Sequence, residues 1–427
     1  MHIAIITAGG AGMFCGSCMH DNTLARALIE IGEQVSLIPT YTPIRVDETD
    51  VSDPRVLLGG INVYLDAKLP FWRRLPRSLT HWLDAPTIIN FATSFGVSSD
   101  AKKLGKMTIA LLKGDAGPQQ LEVDNFAHTL ARELKPDVIC FSNALLVGTL
   151  ERLKQQFDNP VYCLLQGDDI FLENLLEPFR SQALELIRTQ ARQFDGFLVH
   201  SGYYRDFMSE YLHIPPKKIH VVPLGIDLTG HDGQPAQSPH KPFTVGYFAR
   251  ICPEKGLHLL VDGFRKFHAK HPDTRLVAGG YLGTRDKAYF KKVTRAAADL
   301  GTSFEYIGSP PGHVEKVAFL KSLDVLSVPT EYREPKGLYV LEALANGVPV
   351  VQPRHGAFPE LLEATKGGLL FSPGSAEELT LALERLYLDA ELRHKLAIEG
   401  QKNVQSLYNP RTMAEATLSV LSRPNAS

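Results

Sequence analysis

From residue 1 to about residue 225, short apolar runs alternate with stretches of helical spacing. Ile3–Thr7, Gln34–Ile38, Asp137–Phe141, Val161–Leu165 and Gly196–His200 have the length and residue types of buried strands, and Ile219–Pro223 is one more. Thr23–Ile31 carries its apolar residues at helical spacing and stops at Gly32. Strand alternating with helix predicts a parallel sheet covered on both faces. Over residues 228–242 the pattern breaks. LTGHDGQPAQSPHKP is rich in Gly, Pro, Ser and His and has no apolar period, which predicts a linker. Alternation then restarts, with Phe243–Phe248, Thr274–Ala278, Thr302–Ile307, Val325–Val328 and Val348–Val351 as strands. A last helical pattern, Arg411–Leu421, follows Asn409-Pro410. The fold class is therefore α/β, with two doubly wound domains at 1–227 and 243–405 and a closing segment at 406–427.

Composition narrows the class. The chain has 427 residues, 44% hydrophobic and 22% charged, which excludes a disordered chain, a collagen-like repeat and a small disulfide scaffold. Lys+Arg number 45 against 47 Asp+Glu, a net charge of -2, so no bulk electrostatic attraction to nucleic acid exists. Three of the five Cys (Cys140, Cys163, Cys252) sit in apolar runs, as small buried hydrophobes do in a reducing compartment. The start lacks a basic region and runs straight into glycines, so it reads as a strand and not a signal peptide. No run approaches the roughly 18 apolar residues of a membrane span. Together these predict a cytoplasmic protein.

Ligands of open α/β sheets lie beyond the carboxyl ends of the strands, so chemistry is expected there. The first such segment is TAGGAGMFCGSC, residues 7–18, whose glycines would let backbone N–H groups approach a phosphate. A dinucleotide reading fails: the sixth position of its G-x-G-x-x-G pattern is Cys15, and the second strand ends in Pro39-Thr40 with no acid for a ribose. No G-x-x-x-x-G-K-[ST] occurs. Cys15-Gly-Ser-Cys18 has the spacing of a redox or half-metal motif, but no second C-x-x-C accompanies it, so loop filler near the ligand is the better reading. Among the histidines, His20 stands nearest this segment. Next come Arg250 and Lys255, two cations in a loop opening a helix, suited to clamping a diphosphate. Residues 327–351, SVPTEYREPKGLYVLEALANGVPVV, place Glu334 in a loop and Glu342 in the helix that follows. Between them, free N–H groups near Gly337 and Leu338 at the helix N-terminus suit a phosphate.

The string E-P-x-G-L-x-V-L-E-A-L-A-x-G-V-P-V-V resembles the signature of retaining glycosyltransferases of family 4. The resemblance extends through Gly356–Glu360, the stretch ending at Gly374, Arg250–Gly256 and Val222–Asp227, and spans nearly the whole second domain. It implies a GT-B architecture, two Rossmann-like domains facing across a cleft, with the 406–427 helix crossing back to the first. It further implies a nucleoside diphosphate sugar as donor substrate, UDP-linked by default, with no other cofactor and no metal. Arg250 and Lys255 would hold the diphosphate and Glu342 the ribose. Glu334, with the N–H groups of Gly337 and Leu338, would meet the sugar and the distal phosphate. Gly16, with Ser17 beside it, would be the first domain's phosphate contact.

One position departs from the resemblance. After Val161–Leu165 the family commonly places a histidine that touches the donor sugar, whereas this chain has Gln166 followed by Gly167-Asp168-Asp169. Glutamine can hydrogen-bond a sugar hydroxyl but cannot carry a proton at neutral pH. A silent nucleotide-sugar binder therefore stays open beside the enzyme, as does an epimerase or phosphorylase of the same architecture. The acceptor, sugar- or lipid-linked, is not readable. Residues 65–83 hold both Trp with Arg73, Arg74 and Arg77; a lid on its own domain is preferred there to a membrane contact.

Overall fold

The computed structural model describes residues 1–9, 15–58 and 101–423. The remainder of the glycine-rich segment, residues 10–14, and the Trp/Arg segment 65–83 lie outside the described residues. The chain forms two compact units, Met1–Pro223 with Met413–Ser427, and Leu224–Thr412.

In the first unit six parallel strands follow the order β2-β1-β3-β4-β5-β6. They are β1 (His2–Thr7), β2 (Gln34–Pro39), β3 (Val138–Phe141), β4 (Val161–Leu164), β5 (Gly196–Val199) and β6 (Ile219–Val221). The central strands are buried along their whole length, because helices cover both faces; hence their continuous rather than alternating apolar runs. The helix Pro410–Leu421 belongs to this unit, where Met413, Ala414, Val420 and Leu421 are buried with Ile3, Leu24 and Val138.

The second unit has the parallel order β12-β11-β10-β7-β8-β9. Its strands are β7 (Phe243–Phe248), β8 (Thr274–Gly279), β9 (Phe304–Tyr306), β10 (Val325–Leu326), β11 (Val350–Pro353) and β12 (Gly368–Phe371). Counted from β7 this is the dinucleotide-fold order 3-2-1-4-5-6. The helix Leu257–Lys270 shows why the pattern reads as it does: Leu257, Leu260, Val261, Phe264 and Phe267 form one buried stripe.

The structure differs from the sequence expectation in three places. The first helix runs Gly16–Glu30, seven residues earlier than Thr23, so Gly16, Ser17 and His20 are helical rather than in a loop. Segment 228–242 is no linker but part of the second unit. There Gln401 donates to the Gly233 carbonyl at 2.5 Å, Lys321 pairs with Asp232, and the His240 amide donates to Asp324 at 2.9 Å. Strand β12 was not anticipated.

Candidate active site

In a doubly wound sheet the crevice opens where the strand order reverses. In the second unit this falls between β7 and β10, where Val245 pairs with Val325 and Gly246 with Leu326. The segments leaving these two strands carry Arg250–Gly256 and Thr330–Gly337. Gly256 lets them close: its φ is +71° and a Cβ there would stand 1.8 Å from the Pro329 carbonyl oxygen.

The closure brings Lys255 onto Glu334. The Lys255 ammonium donates to Glu334 Oε2 at 2.7 Å, and the hydroxyls of Tyr332 and Tyr339 donate to the same oxygen at 2.6 and 3.2 Å. The other oxygen, Oε1, faces the Lys336 amide at 3.4 Å. Lys255 Nζ also lies 5.0 Å from the centroids of both phenol rings. Burial opposes charge on Glu334, which is 5% exposed, yet Lys255 and the Tyr332 hydroxyl hold its carboxyl down to about 2. Burial and the Glu334 charge push both phenols well above their ordinary range, so they remain donors. Arg250 leaves the end of β7 with an exposed side chain, its Nε donating to the Cys252 sulfur at 3.4 Å.

Gly337 caps the next helix, Leu338–Ala345, in left-handed conformation at φ +82°. The first N–H groups of a helix have no intrahelical partner, so Leu338 opens an anion-favouring terminus beside Glu334. Glu342, the fifth residue of this helix, is a little more than one turn in. Its Oε1 accepts from Lys316 at 2.8 Å; burial opposes its charge, but Lys316 and His231 pull its carboxyl below the usual range. The structure thus joins Lys255 to Glu334 and sets Gly337, Leu338 and Glu342 on the adjoining helix. Tyr332, Tyr339 and Lys316 were missed from sequence. The tyrosines stand inside the quoted motif, but Lys316 is on a separate helix, His313–Lys321, with no local signal.

In the first unit Gly16 and Ser17 begin the helix after β1. A buried polar cluster lies at the carboxyl edge of this sheet. Gln166 Nε2, just past β4, donates to Asp21 Oδ1 at 2.8 Å and to the Ser142 carbonyl at 3.3 Å. His20 Nδ1 is 3.2 Å from Asp21 Oδ1, and its ring lies 4.4 Å from that of His200. Asp168 accepts backbone N–H groups from Ala144 at 2.6 Å and Gln166 at 3.0 Å; burial pushes its carboxyl up to about 6. Asp169 accepts from the Tyr204 hydroxyl at 2.6 Å. The Asp168-Asp169 pair thereby ties the turn after β4 to Ala144 and Tyr204. No metal-type cluster of three or more His, Cys, Asp or Glu occurs among the described residues. Cys15 and Cys18 are free thiols, and the Cys15 hydrogen bond and burial push the Cys18 thiol far above its ordinary range. No described helix is long and apolar enough to cross a membrane.

Comparison with known proteins places these features. Residues 232–403 match the family model for glycosyl transferases group 1, and residues 111–229 that for glycosyltransferase family 4. A glycogen synthase of Mycobacterium tuberculosis is 24% identical over 296 residues, 68% of this chain and 69% of the relative. A D-inositol 3-phosphate glycosyltransferase of Corynebacterium jeikeium is 30% identical over 190 residues, 41% of this chain and 45% of the relative. The chain spans about half, 52%, of the length of some of the curated relatives it matches. Among solved structures, sucrose-phosphate synthase of Thermosynechococcus elongatus superposes with a TM-score of 0.71 at 19% identity, covering 98% of both chains. Anabaena HepE in complex with UDP and glucose gives 0.68 at 15% identity, covering 99% of both. These two likenesses concern the fold: both units are Rossmann-like and the architecture is GT-B. With both family models matched in sequence, the chain belongs to the group 1 glycosyltransferases of GT-B fold.

Proposed function

We propose that the protein is a retaining glycosyltransferase that moves a sugar from a nucleoside diphosphate sugar to an acceptor hydroxyl. The observation that carries this reading is the cluster at the switch point of the second sheet: an ionised, buried Glu334 bonded to Lys255, beside the N-terminus of Leu338–Ala345. Cleaving an anomeric C–O bond builds positive charge on the sugar and negative charge on the departing diphosphate. A fixed carboxylate answers the first. Lys255, the helix N-terminus and, from the end of β7, Arg250 answer the second. In the first unit, the Gly16–Ser17 helix start offers a further place for phosphate oxygens. Glu342, on the same helix as Leu338, is suited to the ribose hydroxyls through the oxygen not bonded to Lys316.

The protein's own cations supply the charge that a metal ion would otherwise bring, so the reading is metal-independent. No separate general base is required if the leaving phosphate takes the acceptor's proton on the same face of the sugar. Anabaena HepE, a neighbour in fold, has been solved with UDP-glucose. That supports a UDP-linked donor as the first to try. A cytoplasmic location fits a reaction that consumes a nucleotide-sugar.

A second reading, a silent binder, draws on Gln166, whose amide is bonded to Asp21. One experiment separates them. The full chain is incubated with UDP-, GDP- and ADP-sugars and a mixture of acceptors in the presence of EDTA, released diphosphate and glycosylated product are followed by mass spectrometry, and the anomeric configuration of the product is read by proton NMR. Turnover with retained anomeric configuration is expected. Binding without turnover would favour the silent binder, and neither binding nor turnover would contradict both.

A further inference from the structure

We infer that Tyr332 and Tyr339 are positioning residues that fill one oxygen of Glu334 and thereby turn the other toward the donor sugar. This rests on the donor reading above. Glu334 Oε2 accepts three donors, Tyr332 at 2.6 Å, Lys255 at 2.7 Å and Tyr339 at 3.2 Å. A carboxylate oxygen offers about two lone-pair sites, so Oε2 is saturated. Among the described residues Oε1 has only the long 3.4 Å approach of the Lys336 amide and keeps capacity for a ligand hydroxyl. The asymmetry comes from the chain itself. Tyr332 and Tyr339 flank Glu334 in sequence, and the ring centroids of both also lie 5.0 Å from the Lys255 ammonium.

The phenols matter most when the donor arrives. Its diphosphate competes with Glu334 for Lys255, since both are anionic and a lysine ammonium turns readily between acceptors. A carboxylate held by Lys255 alone would then lose its counter-ion and its orientation together. Two neutral donors that do not bind phosphate in its place keep Oε2 occupied and the carboxyl ionised. Lys255 is then free to follow the phosphate while Glu334 stays aimed.

The test uses the full chain with Tyr332→Phe, Tyr339→Phe and the double variant, each also combined with Glu334→Gln. UDP-, GDP- and ADP-glucose are titrated calorimetrically beside the matching bare diphosphates, and the tightest-binding pair serves as the probe. Each single variant should stay folded, melting a few degrees lower for the lost buried hydrogen bond, and keep its affinity for the bare diphosphate. Its affinity for the nucleotide-sugar should fall about tenfold, the loss typical of one hydrogen bond to a charged group. In the Glu334→Gln background the same substitutions should change nothing. Equal losses for diphosphate and nucleotide-sugar, or losses that persist in Glu334→Gln, would show a merely structural role and overturn the inference. A sugar-dependent loss in Glu334→Gln with none in the tyrosine variants would overturn it while leaving the donor reading intact. A wild-type chain that binds no probe would overturn both.

Discussion

Glu334 sits where burial ordinarily neutralises a carboxylate, and it stays charged because a lysine and two phenols converge on it. Glu342 is charged through other partners, the Lys316 ammonium and the nearby His231. The two carboxylates should therefore fail differently. Glu334→Gln keeps the shape but removes charge where the donor reading sets the sugar and phosphate, so kcat should fall by about 10²–10³. Under the donor reading Glu342 meets a ribose that does not change in the reaction, so for Glu342→Gln KM should rise while kcat stays near wild type. Steady-state kinetics on both variants, with circular dichroism to confirm folding, checks the split; a Glu334→Gln enzyme with normal kcat would remove it from the site. The placement of Arg250, Lys255 and Glu334 in segments that follow a strand, and of Glu342 within the next helix, was legible in the sequence. The partners were not. Nothing local marks Lys316 as the counter-ion of a residue 26 positions away, or Asp21 as the acceptor of the Gln166 amide 145 positions away.

At the scale of elements, the site is made by what leaves β7 and β10. Strand β10 is only two residues long, so the chain turns early and Thr330–Gly337 reaches the loop after β7. Gly256 is the hinge of that contact. Gly256→Ala would force a side chain into φ +71° and drive its Cβ against the Pro329 carbonyl, which must move. A loss of about 1–3 kcal/mol of stability is expected, with weaker nucleotide binding because Lys255 is the adjacent residue. Chemical denaturation read by fluorescence gives the first and a nucleotide titration the second. Unchanged values for both would mean that the two loops part at no cost. Most strands were legible because both faces of a parallel sheet demand unbroken apolar runs. Strand β12 was not, because it opens on Gly368 and three of its four residues are only partly buried. The start of the first helix was hidden too. Gly16–Asn22 is polar-rich, and its buried polar residues meet partners distant in sequence, such as Asn22 on the Thr49 carbonyl at 2.9 Å.

For the molecule as a whole, the two parallel sheets and their α/β class followed from alternation alone, while the extent of the second unit did not. A Gly/Pro-rich stretch reads as a linker until its backbone groups are seen to be satisfied by Gln401 and Asp324. The charge buried in that unit also sets the response to acid. The Glu334 carboxyl lies at about 2 when folded against an ordinary 4.5, so it contributes about 3 kcal/mol above pH 4.5 that is lost as the pH falls toward 2. Asp168 in the first unit works oppositely, its raised carboxyl costing stability as pH climbs from about 4 to about 6. The stability gap between wild type and Glu334→Gln, from urea unfolding across this range, should therefore close toward pH 2; a gap independent of pH would refute the ion pair. The central claim, that the switch point of the second sheet holds a nucleoside diphosphate, has a more direct test. The full chain is titrated calorimetrically with UDP, GDP and ADP, before and after Lys255→Ala and Arg250→Ala. One diphosphate should bind the wild type, and each substitution should weaken it by about tenfold or more, the worth of a charge-assisted hydrogen bond. Equal affinity in wild type and both variants would contradict the account.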